Sequence, residues 1–355
     1  MKKVLLGDII ELAYGKSLPQ RSRVSGRFPV FGSNGQVDTH NKSLVGGPGI
    51  IVGRKGSVGE VIWSKQDFWP IDTTYYVKLK NLDDDLKYWY YVLKTLGLNK
   101  LNSHSAIPGL NRDVAYIKQV PLRSTLEQEK IADILSSLDE KIELNRRMNE
   151  TLERLGQALF RHYFVDNPEA KNWDEGTLGD IMNITMGQSP PGKSYNNNGD
   201  GVVFYQGRAD FGLRYPNMRL FTTDPKRFAK VGDVLLTVRA PVGDVNQASE
   251  RCCIGRGLAA ISSRTGAVSF CYYYCHQLKA DFLEYNSEGT VFGSINSKQL
   301  KALKLKIPPI DLVEKFENEV AVIDKMIMLN SYQVKTLITL RDSLLPKLIS
   351  GEIEV

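Results

Sequence analysis

The sequence predicts an α+β protein. Two globular segments of mixed α/β character are each followed by one long helix. The two helices pair as an antiparallel coiled coil, and the halves are related by a pseudo-two-fold axis. Three observations carry this expectation. The chain repeats itself: Leu6-Gly7-Asp8-Ile9 returns as Leu178-Gly179-Asp180-Ile181, 172 residues later. Leu138, Asp139, Ile142, Leu144 and Asn145 return as Ile323, Asp324, Ile327, Leu329 and Asn330, 185 residues later. Finally, segments rich in turns and short apolar runs alternate with segments of strict helical periodicity. The expected boundaries are 1–124, 125–163, 164–310 and 311–355.

The first segment, 1–124, holds β-rich runs between Gly, Pro and Asn turns, among them Gly49-Ile50-Ile51-Val52-Gly53 and Asp72-Thr73-Thr74-Tyr75-Tyr76-Val77. An aromatic stretch from Lys87 to Leu96 reads as a helix. The next segment, 125–163, places Ile131, Leu135, Leu138, Ile142, Asn145, Asn149, Leu152, Gly156 and Leu159 at alternating spacings of four and three. That is the period of about 3.5 residues of a coiled-coil seam. Segment 164–310 returns to the mixed pattern, with Asp233-Val234-Leu235-Leu236-Thr237-Val238 as a strand and Phe270 to Phe282 as the aromatic helix. Segment 311–355 repeats the seam with Phe316, Val320, Ile323, Ile327, Asn330, Val334, Leu337, Arg341 and Leu344. A helix this long, of about 35 residues at about 1.5 Å each, is a poor fold alone, so the two are expected to pair. The polar seam residues Asn145 and Asn330 would fix register at some expense in stability.

Composition bounds the function classes. At 355 residues with 42% hydrophobic and 24% charged residues, the chain is ordinary for a globular protein of two or three domains. No run approaches the ~18 apolar residues of a membrane span, and Asp8 and Glu11 interrupt any signal-peptide core, so a cytoplasmic location without a membrane partner is expected. The four cysteines, Cys252, Cys253, Cys271 and Cys275, lack paired zinc spacing and read as small, reduced, buried residues. Charge is uneven. Segment 1–124 has 18 basic and 10 acidic residues and 164–310 has 17 and 14, whereas 125–163 has 6 and 8 and 311–355 has 5 and 8. A polyanion is attracted to the first kind of segment and not to the second. No nucleotide loop of G-x-x-x-x-G-K-[ST] type, no N-P-P-[YF] and no G-x-S-x-G occurs, and His40, His104, His162 and His276 are scattered. A binding protein is favoured over a stand-alone nucleic-acid enzyme. A structural coiled-coil adaptor is the other alternative.

At Leu6-Gly7-Asp8-Ile9 with Gly15-Lys16-Ser17, and their copy with Gly187-Gln188-Ser189-Pro190, the chain resembles the specificity subunits of type I restriction-modification systems. Pro29-Val30-Phe31-Gly32-Ser33-Asn34-Gly35, Gly53-Arg54-Lys55-Gly56-Ser57-Val58-Gly59 and the shorter Arg239-Ala240-Pro241-Val242-Gly243 are similar to a recognition-domain subtype. Leu159 to Asp166 and Leu344 to Ile353 are similar to the central and C-terminal regions. The resemblance covers essentially the whole chain. It implies a non-catalytic subunit in which each globular segment is a target recognition domain reading one half of a bipartite, asymmetric double-stranded DNA target. It further implies that the paired helices set the spacer and dock two methyltransferase subunits, through which restriction subunits join. S-adenosylmethionine, ATP and Mg would then reside on the partners, with no cofactor or metal in this chain.

DNA-contacting residues are sought in loops between short strands, which can deliver donors and cations to base edges and phosphates. In the first segment these are Ser33, Asn34, Arg54, Lys55 and Asn111. In the second they are Gln206, Arg208, Arg214, Arg239 and Asn296. Arg239 matches Lys55 at an offset of 184, and Asn296 matches Asn111 at 185. Tight turns with solvated charges would explain Ser33 to Lys55 equally, and helix caps would explain both asparagines. The seam expected to hold the helices and partners comprises Leu135, Leu138, Ile142, Asn145, Val320, Ile323, Ile327 and Asn330.

Overall fold

The computed structural model describes residues 2–101, 109–282 and 293–355; His104 lies outside them. Two long helices, Thr125–Phe160 and Ile310–Ser350, are present where the seam pattern placed them. Ser124 and Glu127 open the first with a reciprocal cap: the Ser124 amide donates to the Glu127 carboxylate at 3.0 Å and the Glu127 amide to Ser124 Oγ at 3.4 Å. The second ends at Gly351, whose φ of +83° permits the left-handed cap that returns its amide to the Lys347 carbonyl.

The chain divides into two compact units, and the division falls inside both helices. Unit 1 comprises Met1–Glu143 with Lys335–Val355, and unit 2 comprises Leu144–Val334. In each, a stretch of one helix runs antiparallel to a stretch of the other. Arg341 meets Asp139 and Arg123 meets the Leu348 carbonyl in unit 1; in unit 2 Asn145 meets Gln333 and Tyr163 meets Glu319. The predicted seam lies inward. Leu135, Ile142, Asn145, Val320 and Ile327 are buried, and Leu138, Ile323 and Asn330 are half-buried. Its polar members find partners within unit 2. Asn145 Nδ2 donates to Gln333 Oε1 at 3.0 Å, Asn149 Nδ2 to Ser331 Oγ at 2.9 Å, and Asn330 Nδ2 to Asn149 Oδ1 at 3.0 Å. Polar pairs of this kind favour one register of a seam, while Asn145 Oδ1 is buried without a hydrogen-bond partner among the described residues.

The mixed part of unit 1 is built on a four-stranded antiparallel sheet in the order Ile10–Tyr14, Thr74–Leu79, Gly49–Gly53, Val61–Ser64. Helix Leu86–Thr95 buries Tyr88, Trp89, Tyr91, Val92 and Leu93 in a core that also takes Ile131, Leu135, Leu348 and Ile349 from the long helices. Unit 2 repeats the sheet in the same order: Met182–Met186, Leu258–Ser263, Val234–Thr237, Val245–Gln247. Helix Val268–Gln277 packs there in a core joined by Phe160, Phe164 and Phe316. Each unit closes its ends with a two-stranded ladder, Lys3–Leu5 with Gln119–Pro121 and Asp174–Thr177 with Lys304–Ile307.

The repeated Leu-Gly-Asp-Ile is explained by its surroundings. Leu6 and Leu178 are fully buried. Asp8 and Asp180 accept the amides of Leu5 and Thr177, at 3.3 and 2.8 Å. A Cβ on Gly7 would lie 2.8 Å from Tyr116 Cβ, and one on Gly179 would lie 3.2 Å from Lys301 Cβ, at the matching place. The motif is a structural knuckle that lets two short helices touch. All four cysteines are free and buried. Among the described residues no helix is long and apolar enough to cross a membrane.

Candidate nucleic-acid interface

In unit 1 two strands of different sheets release loops that meet. Phe28–Gly32 leads into Ser33-Asn34, and Gly49–Gly53 leads into Arg54-Lys55-Gly56-Ser57. The loops touch: Ser57 Oγ donates to Asn34 Oδ1 at 3.4 Å, and a Cβ on Gly56 would lie 3.1 Å from Ser33 Oγ. Gly56 and Gly59 have φ of +79° and +75°, which glycine alone adopts without strain. Lys55 and Asn34 are exposed. Arg54 is half-buried; its Nε and Nη2 donate to the Asp72 carbonyl at 3.1 and 2.7 Å, and its guanidinium lies 5.2 Å from the Tyr14 ring centroid. Arg112 approaches the same ring at 5.0 Å. Exposed Tyr14 thus stands beside two cations, a grouping that no sequence spacing announced. Of the three arginines Arg21, Arg23 and Arg27, Arg23 is tied to Asp38 at 3.2 Å.

Unit 2 offers the corresponding pair. Val202–Tyr205 leads into Gln206-Gly207-Arg208, and Val234–Thr237 leads into Val238-Arg239-Ala240-Pro241. The strands Val30-Phe31 and Phe204-Tyr205 pair in parallel with Trp69-Pro70 and Cys253-Ile254. Trp69 and Cys253 stand 184 apart, so Phe204 occupies the place of Val30, Gly207 that of Ser33 and Arg208 that of Asn34. Arg208 Nε reaches Asp244 Oδ2 at 2.6 Å, and Lys279 shares that carboxylate at 3.1 Å. Gln206, Arg208 and Arg239 are exposed. The backbone confirms that Lys55 and Arg239 correspond: Lys55 bridges Gly109 and Arg239 bridges Ser294. Likewise Leu110 donates to the Arg54 carbonyl at 2.9 Å and Ile295 to that of Val238 at 3.0 Å.

Those bridges bring Asn111 and Asn296 next to the second loop of each pair. Both side chains cap short helices, Asn111 Oδ1 accepting from the Asp113 amide at 2.8 Å and Asn296 Oδ1 from that of Gln299 at 3.0 Å. The capping alternative is therefore realised at both, although both residues are exposed.

Arg214 is a correction. Its side chain is 1% exposed and faces carboxylates inside unit 2, so no DNA reaches it in this fold. Nη1 meets Glu153 at 3.0 Å and Nη2 meets Asp324 at 2.9 Å. Nε donates to Gln247 at 3.0 Å, Nη1 also to Tyr273 Oη at 3.1 Å, and the guanidinium stacks 3.6 Å from the Tyr272 centroid. A buried guanidinium persists only when paired in this way. Nearby, burial together with the Arg214 and Lys279 charges pulls the His276 imidazole down to about 4.

Two copies of one mixed fold, each presenting a pair of loops on matching strands, define a duplicated binding scaffold. Residues 1–154 and 170–315 match the model of the type I restriction modification DNA specificity domain, and the chain belongs to that family. It is 34% identical over 254 residues to the putative type I restriction enzyme MjaX specificity subunit of Methanocaldococcus jannaschii, a match covering 67% of this chain and 60% of that relative's length. It is 26% identical over 304 residues to the MjaIX specificity subunit of the same organism, covering 76% and 69%. The crystal structure of a type I restriction-modification S subunit from M. genitalium superposes with a TM-score of 0.69 at 20% identity, over 98% of this chain and 96% of that one, which shows a shared fold.

Proposed function

We propose that the chain is the DNA sequence-specificity subunit of a type I restriction-modification complex. In this reading each mixed segment reads one half of a bipartite, asymmetric target, and the paired helices set the spacer and dock two methyltransferase subunits. Restriction subunits join through these. S-adenosylmethionine, ATP and Mg belong to the partners, and this chain contributes recognition rather than chemistry.

The observation that carries the reading is the pair of matched loop sets. One frame presents Ser33, Asn34, Arg54 and Lys55 in one unit and Gln206, Arg208 and Arg239 in the other. The places correspond, but the donors and acceptors they hold differ, which suits a target whose halves differ. Cations at Lys55 and Arg239 suit phosphate. Docking is supported by exposed apolar side chains on the helix stretches of unit 2, among them Leu144, Leu155, Val322, Met326 and Leu329.

The test is co-expression with the cognate methyltransferase subunit and sequencing of methylated chromosomal DNA. A bipartite methylated motif that disappears with this chain supports the reading. Exchange of residues 164–310 for those of a relative should then change one half of the motif only. A stable complex that marks no motif would favour the structural adaptor.

A further inference from the structure

The two units solve one electrostatic problem from opposite sides. In unit 1, Tyr91 Oη donates to Asp139 at 2.7 Å, and Asp139 is paired with Arg341 at 2.6 Å. In unit 2, Tyr273 Oη donates to Asp324 at 3.0 Å, and Asp324 is paired with Arg214 at 2.9 Å. Asp139 and Asp324 are the same position of the repeat, and Tyr91 and Tyr273 are matching residues of the aromatic helices. The cation, however, changes origin. In unit 1 it stands on the second long helix. The matching helix position in unit 2 is Gly156, where a Cβ would collide with Tyr273 Oη. There the mixed segment supplies the cation itself, from the loop 206–220.

We infer that Arg214 is a positioning residue that seats the second recognition segment on the helix pair and thereby fixes the spacer. The inference rests on the functional reading above. Glu153 and Asp324 lie one on each long helix, so the planar fork of Arg214 grips both at once. Gln247 holds the fork from the sheet, and its amide holds the Arg214 carbonyl at 2.8 Å. The reading end of the loop is braced separately: the Asp210 carboxylate takes the Gln206 and Gly207 amides at 2.7 and 3.3 Å, and Arg219. Loosening Arg214 therefore frees the seat and leaves the reading residues formed.

The experiment compares three full chains, each co-expressed with the methyltransferase subunit: native, R214M/E153Q/D324N, and R341M/D139N. The triple variant removes cation and carboxylates together, so no charge is left buried alone. The native chain should mark one motif with one spacer. The triple variant should mark the same half-sites, with sites of one base pair longer or shorter spacer gaining about tenfold relative to native. The unit 1 variant should change less, because its pair is part-exposed. If the triple variant fails to assemble, Arg214→Lys, which keeps the charge and loses the fork, takes its place in the same comparison. An assembled variant that keeps the single native spacer overturns the inference, as does one that loses the identity of a half-site. A native chain that marks no bipartite motif instead defeats the functional reading itself.

Discussion

Unit 1 joins strands Phe28–Gly32 and Gly35–His40 through Ser33-Asn34 alone. Unit 2 joins the corresponding strands, Val202–Tyr205 and Phe221–Thr222, through residues 206–220. The sheet order, the Leu-Gly-Asp-Ile knuckle and the bridges at Lys55 and Arg239 are shared. Most of the length difference between the copies sits in and around that connection: the offset is 174 at Val30 and 184 at Trp69. The frame is held by buried contacts that a second copy must keep, while the connection crosses the surface and is free to grow. The longer loop also acquired a second task, because it carries Arg214 down to the helices.

The comparison can be broken most forcefully at that arginine. Arg214→Met leaves the buried Glu153 and the half-buried Asp324 without a cation, and should destabilise unit 2 by about 3 kcal/mol. Its counterpart, Arg341→Met, acts on a part-exposed pair and should cost about 1 kcal/mol. Hydrogen exchange followed unit by unit reads both, and equal losses would deny the asymmetry. Between about pH 6.5 and 4, acid should act more on unit 2 than on unit 1. His276 is held at about 4, well below its ordinary 6.5, by burial and by Arg214 and Lys279. The denatured chain takes up a proton as pH falls through about 6.5 and the folded one does not until about 4. Unit 2 should thus lose up to about 3 kcal/mol over that window. The corresponding residue of unit 1 is the exposed Lys94, so that position contributes no such slope there, and His276→Gln should remove it from unit 2. Gly156→Ala should open the Tyr273–Asp324 contact at a cost of about 1–3 kcal/mol, visible as a lower denaturation midpoint. Smallest are the matched surface cations. Lys55→Ala and Arg239→Ala should each weaken DNA binding by the assembled complex and flatten its salt dependence by about one unit of slope. Unchanged slopes would remove both residues from the interface.

The frame was legible because its signals are local and doubled. The seam residues follow one spacing in two places, and a strand such as Gly49–Gly53 announces itself by an apolar run between glycines. The match of Asn34 with Arg208 was hidden, since no identity survives between Val30-Phe31-Gly32 and Phe204-Tyr205-Gln206, and their offset of 174 agrees with neither flank. Only the parallel ladders to Trp69 and Cys253 reveal it. Arg214 misled for another reason. An arginine among Gly, Tyr, Pro and Asn reads as surface, and its burial depends on groups from both long helices. One signal did stand in the sequence: a seam with Arg341 in one copy has Gly156 in the other, while Asp324 repeats Asp139. A repeated acid without its repeated base asks for a cation from elsewhere.

That missing base bears on heredity. Were related chains to exchange segments, a first segment would meet a helix pair that already carries its arginine, and for this contact would need to bring only the tyrosine. A second segment must bring its own cation, or meet two acids left without one. Exchange between lineages would therefore be unequal, and the helices would act as a filter on which second segments a lineage can inherit.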